Sequence, residues 1–281
     1  MIKHITLSLF LCVALNQAIA GGGWPQPKGK GYFKLSQSFL MSPRYFDGNG
    51  NIIELSPSYG YFSTSFYGEF GFTDRLTGII YVPFFARAVK NELRFNQSGI
   101  VDPGASLNSF GDTDIAIKYG LIVNKPIVVS ATLLFGLPLG DNGATNSSAL
   151  QTGDGEFNQM LRIDASHSFY PKKFYVSAYA AFNNRTKGFS DEVRFGAEVG
   201  LTLNKFIPIF KVSSVHSLFN GDVGIVQNGI FSNNTEFISP SLELNYQLTE
   251  KIGVSGSIAT ALAARNILAS PNFGIGVYMK L

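Results

Sequence analysis

The sequence predicts an all-β chain, a transmembrane antiparallel up-and-down β-barrel of about twelve strands. Three observations carry this. Past residue 30 the apolar residues recur at every second position, the period of a strand with two unlike faces. After the first twenty residues no stretch has ~18 consecutive apolar residues, which excludes membrane-spanning helices. The connections also alternate in length. Those near residues 74, 125, 172, 205 and 250 are short, and those near 48, 100, 147, 187, 227 and 267 are longer. Short periplasmic turns and long external loops have this rhythm, with both ends of the domain on the periplasmic side. A secreted β-sandwich is the competing architecture and has no reason to alternate so regularly.

Residues 1–20 read as a secretory signal peptide, and residues 21–281 as one barrel domain. Lys3 and His4 form a short basic start, Ile5 to Leu15 an apolar stretch too short to span a membrane, and Ala18-Ile19-Ala20 a cleavage site. The only cysteine, Cys12, lies inside the signal, so the exported chain has no disulfide framework. The expected location is the bacterial outer membrane. Gly21 to Lys30, GGGWPQPKGK, is too rich in Gly and Pro for a strand. It reads as a short periplasmic lead, too short to plug a barrel alone.

The predicted strands follow in order. The first is about Gly31 to Met41, the second about Ser58 to Phe72 and the third about Leu76 to Ala88. A long polar loop covers Val89 to Ser109. The next two strands form the clearest hairpin. Ile115, Ile117, Tyr119 and Leu121 alternate with Asp114, Ala116, Lys118 and Gly120. The alternation resumes at Val129 after Asn124-Lys125-Pro126. Strands six to eight are about Glu156 to Phe169, Phe174 to Asn183 and Glu192 to Leu203. The ninth, Phe206 to Phe219, slips parity near Ser213-Ser214, which predicts a bulge. The last three are about Glu236 to Leu248, Ile252 to Leu262 and Pro271 to Leu281.

Composition agrees with export and lipid. Charged residues are 15%, below the ~25% of soluble domains. There are 25 Phe, 12 Tyr and 30 Gly, and an exported, aromatic-rich, Gly-rich chain without helical spans points to a closed barrel. Basic and acidic residues nearly balance, at 22 and 19, and no basic stripe suggests nucleic acid.

If the apolar parity faces lipid, the other lines the lumen. That parity carries Tyr81, Phe85, Arg87, Asp114, Lys118, Arg162, Asp164, Arg194, Glu198 and Glu243, which form the predicted solute pathway. Mixed charges there form either a packed ion-pair network or a polar constriction, and the two are compatible. Inward aromatics fill space or bind an apolar solute. No catalytic residues are predicted: outside the signal there are only His167 and His216, and His216-Ser217-Leu218-Phe219-Asn220 lacks the H-x-S-N-G pattern of outer-membrane phospholipase A. No metal site and no cofactor are predicted, because outside the signal there is no cysteine and the two histidines stand apart.

The stretch Phe110-Gly111-Asp112-Thr113-Asp114-Ile115-Ala116-Ile117-Lys118-Tyr119 and the later Gly136-Leu137-Pro138-Leu139-Gly140-Asp141 resemble an outer-membrane family named for the meta-pathway of phenol degradation. Its members pair a G-D-x-x-x-x-x-K-Y strand with one ending in G-x-P-x-G-D, and the resemblance is strongest over about 30 residues. It implies a barrel loosely grouped with transporters of hydrophobic compounds, such as the long-chain fatty-acid channel. The plug of that channel has no counterpart in the short lead here. The resulting expectation is passive uptake of small hydrophobic or aromatic solutes. The alternatives are a sealed structural or surface-binding barrel and, more remotely, a lipid-modifying enzyme. Expected partners are outer-membrane lipid, the barrel-assembly machinery during biogenesis, and a small apolar or aromatic solute.

Overall fold

The computed structural model describes residues 22–143, 150–222 and 231–281; the predicted signal peptide lies outside the described residues. The strands are β1 (Gly31–Phe46), β2 (Ile52–Gly71), β3 (Leu76–Lys90), β4 (Leu93–Arg94), β5 (Val101–Asp102), β6 (Ala105–Ser109), β7 (Thr113–Ile122), β8 (Ile127–Leu137) and β9 (Asn158–Ser168). They continue as β10 (Phe174–Arg185), β11 (Glu192–Leu201), β12 (Phe206–Ser217), β13 (Glu236–Gln247), β14 (Ile252–Ala259), β15 (Ala263–Arg265), β16 (Ile267–Leu268) and β17 (Asn272–Lys280). Consecutive long strands pair antiparallel, β1 pairs β17, and β12 pairs β13, so the sheet closes on itself. Twelve staves result. β6 and β7 share one, β15 prolongs β14 along β13, and β16 prolongs β17 along β1. Closure satisfies every ladder and leaves no open edge, the condition for a sheet in hydrocarbon.

The wall has the two faces that the alternation demands. Leu35, Ile117, Leu133, Leu161, Val199, Leu242 and Ile275 are exposed on the outside. Ser63, Glu69, Lys118, Ser130, Asp164, Ser166 and Asn183 are buried on the inside. The buried interior of this molecule is therefore largely polar, with a small apolar cluster of Phe46, Ala264 and Ala269. Short turns cluster at one end. Asn124 and Asn204 sit in two of them with φ of 58° and 56°, a conformation that asparagine tolerates better than most residues.

Three differences from the sequence reading matter. β12 runs in unbroken register with both neighbours, so Ser213-Ser214 is not a bulge. The parity slips in composition only: Ile207, Ile209 and Val215 face inward and Ser214 outward. Register shifts occur instead at Ser42/Arg44, Thr64/Phe66 and Gly120/Ile122. The predicted polar loop 89–109 is partly wall, because β6 pairs β3 from Ala86 to Lys90.

Candidate functional site, a partly filled lumen

The lead is not a free periplasmic segment. It folds into the lumen from the turn end. A parallel bridge joins Lys28 to Gly71, and Lys28 N donates to Asp74 Oδ1 at 3.0 Å. Further in, Gln26 N donates to Thr77 Oγ1 and Gln26 Nε2 to Glu69 Oε2, both at 2.8 Å. Gly23 N donates to Ser166 Oγ at 2.7 Å, and Lys118 Nζ to the Gly22 carbonyl at 3.0 Å. Trp24 meets Tyr175 edge-on at 5.5 Å. A Cβ at Gly23 would stand 3.1 Å from both Ser166 Oγ and the Val128 carbonyl, so the seat accepts glycine best. The lead is short, as the sequence suggested, yet it crosses the lumen from β2 and β3, past β7, to β9 and β10. The small buried residues Ser130, Ser166 and Ser177 leave space for its inner end.

Beside the lead lies a cavity of about 440 Å³. Tyr32, Tyr67, Tyr81, Tyr179 and Tyr278 line it, with Lys34, Arg162, Lys211, Lys280, Glu69, Glu198 and Glu243 among the charged groups. Tyr32 stacks on Tyr278 at 5.6 Å, and Arg162 lies 3.8 Å over the Tyr179 ring. Inward glycines let these rings lie along the wall. A Cβ on Gly196 would fall 2.3 Å from the Tyr179 ring, and one on Gly253 2.2 Å from that of Tyr278. Larger residues there would push the rings into the lumen.

The inward charges pair locally. Glu243 accepts from Lys34 at 2.9 Å and from Lys211 at 3.1 Å. Arg162 is bidentate on Asp164 through Nε and Nη2. Glu69 accepts from Tyr67 and Gln26 and lies 3.8 Å from Lys118 Nζ. Arg194 reaches Glu192 at 2.5 Å, and Tyr175 donates to Glu198 at 3.0 Å. Asp114 also faces inward, opposite Gly136 and Tyr81 in register. Of the ten predicted pathway residues, Tyr81, Arg162, Glu198 and Glu243 line the cavity. Lys118 holds the lead, and Asp114, Asp164 and Arg194 stand elsewhere on the inner wall.

Phe85 and Arg87 are corrections, because both point outward. Thr64 pairs with Phe85 but Phe66 with Val82, so β3 spends one extra residue around Pro83-Phe84 and its parity inverts. Ala86 and Ala88 take the inward positions and are fully buried. Trp24, Gln26, Lys211 and Lys280 escaped the sequence reading. Lys211 was hidden by the apparent slip in β12, whereas Lys280 shares the inward parity of Tyr278 and was legible.

The segments that carried the family resemblance meet at the loop end. Gly140 N donates to Asp112 Oδ1 at 2.9 Å and Asp154 N to Oδ2 at 2.8 Å. Arg185 then binds Asp154, Glu156 and Glu192 at 2.8–2.9 Å. This folds the segment after Leu150 across the mouth. The two described histidines lie on the outer wall: His167 Nδ1 is 2.6 Å from the Pro126 carbonyl oxygen, and His216 is beside Phe195.

No protein-family model and no curated protein sequence matches the chain. Solved structures do. An outer membrane channel from Pseudomonas putida F1 aligns with a TM-score of 0.64 at 12% identity, covering 93% of this chain and 99% of that one. The NanC porin aligns at 0.53 and 10% identity, covering 89% and 100%. The β domain of the Bordetella autotransporter BrkA aligns at 0.50 and 9%, covering 90% and 100%. At such identities the likeness speaks for fold, and fold hosts several functions. The chain has the closed antiparallel β-barrel fold of these outer-membrane proteins.

Proposed function

We propose that the protein is a passive channel of the bacterial outer membrane for small solutes, aromatic ones foremost. The single observation that carries this is the tyrosine-lined cavity of about 440 Å³ beside the docked lead. A barrel built only for structure fills its interior with side chains. Here glycines hold the tyrosines back against the wall and leave room for a ring. The turn end is assigned to the periplasm and the loop end to the exterior, with lipid against the outer face. Neither described histidine reaches a serine hydroxyl, so a serine–histidine enzyme has no support in the geometry.

Purified protein in liposomes tests the reading. Entry of a small aromatic solute is followed beside phospholipid hydrolysis. Entry that slows severalfold in Tyr81→Ala supports a channel. An intact barrel that passes nothing returns the sealed, surface-binding reading, and hydrolysis lost in His216→Ala makes the protein an enzyme.

A further inference from the structure

We infer that the lumen selects for negative charge and that its substrates are small aromatic carboxylates; this rests on the channel reading above. At Arg162 and Arg194 the acid of the ion pair is buried further than its cation, whereas Arg185 at the mouth is as deep as its acids. Asp164 is 1% exposed and Arg162 27%; Glu192 is 4% exposed and Arg194 34%. Glu243, at 16%, serves both Lys34 and Lys211, and Lys211 is 33% exposed. Glu69 lies at 2% beneath Tyr67 and the lead. The acids set and hold the cations, while the surface that a solute meets is cationic.

The exposed cations also form a series along the barrel. Arg162 and Arg194 share a rung through Ala181, toward the loop end. Lys211 is next, opposite Glu198, and Lys34 follows through Glu243. Lys280 closes the series at the turn end, opposite Tyr32. It lines the cavity with no ion pair among the described residues, its ammonium 5.7 Å from the Tyr278 ring. The Tyr278 hydroxyl has no hydrogen-bond partner among the described residues. Arg162 spends Nε and Nη2 on Asp164, which leaves Nη1 for a solute. Glu198 is the opposing acid of the cavity wall, and it is occupied by the Tyr175 hydroxyl. Free ammonium, guanidinium and phenol donors fit a carboxylate, and the tyrosine faces fit the ring attached to it.

Two measurements on the full-length mature protein test this. In planar bilayers under a KCl gradient, the reversal potential should show chloride favoured over potassium by roughly tenfold, the low end of what a one-sign cleft does to local ion concentration. In liposome swelling, benzoate should enter faster than benzyl alcohol, and benzylammonium slowest. Lys280→Gln orphans no acid and so keeps the fold; it should reduce both preferences, as should Lys211→Gln, which leaves Lys34 on Glu243. A conducting channel that is unselective or prefers potassium, benzylammonium entering as fast as benzoate, or a Lys280→Gln channel with unchanged preference overturns the assignment and leaves the channel standing. A heat-modifiable barrel with no conductance at all overturns both.

Discussion

Lys118 and Gly22 are 96 positions apart in sequence, yet the Lys118 ammonium donates to the Gly22 carbonyl at 3.0 Å inside the barrel. The same ammonium lies 3.8 Å from the buried Glu69 carboxylate. One inward lysine thus ties the N-terminal lead to the strands around it.

Loosening that tie should widen the pore. Deleting residues 22–26, or changing Lys118 to Met, is expected to raise single-channel conductance, the deletion more. Glu69 keeps its Tyr67 donor in the deletion, so the barrel persists; Lys118→Met should cost about 1–3 kcal/mol for the charge left with fewer partners. Conductance equal to wild type in the deletion would show that the lead does not narrow the path.

At the mouth, stability rests on Arg185 more than on Arg194. Arg185 is 5% exposed and binds three carboxylates, whereas Arg194 is 34% exposed and shares Glu192 with Arg185. Arg185→Ala should destabilise by about 3–5 kcal/mol, the cost of leaving buried carboxylates unpaired. Arg194→Ala should cost much less, though still more than Val199→Ala on the outer wall. Unfolding temperatures in detergent, read by heat-modified gel migration, check the order.

Phe85 and Tyr81 separate the two faces of β3. Phe85→Trp should be quenched by brominated lipid, and Phe85→Ala should leave solute entry unchanged. Tyr81→Trp should be shielded from lipid. Quenching of Tyr81→Trp alone would put the parity inversion at Pro83-Phe84 in the wrong place.

Asp191, between β10 and β11, clasps two connections at the loop end. Burial opposes its charge, but donors from Arg185 N, Asn220 Nδ2 and Asn184 Nδ2 outweigh that and hold its carboxyl below the ordinary 3.8. A depressed folded value means the clasp is at full strength above 3.8 and is lost as pH falls through the lower folded value. Amide exchange at Arg185, corrected for its intrinsic pH dependence, should speed up below that point. Protection that is flat with pH, or unchanged in Asp191→Ala, would show that the clasp bears no load.

Period and spacing alone carried most of the wall. Alternation along a strand is a local property of the pleated backbone, so Ile115-Ala116-Ile117-Lys118 announced a two-faced stave, and the turn at Asn124 announced the hairpin. Twelve staves and the inward placing of Arg162, Asp164, Arg194, Glu198 and Glu243 followed from counting. The tertiary structure decided what counting cannot reach. One extra residue near Pro83 turned Phe85 and Arg87 outward, because the pleat has a period of two and a single insertion inverts every later position. Register chose the partners, setting Glu243 between Lys34 and Lys211 and giving Glu192 two arginines. The seat for the lead exists only when β2, β3, β7 and β9 close around one space and bring Glu69, Thr77, Lys118 and Ser166 to Gly22–Gln26, and no stretch of sequence carries that closure alone.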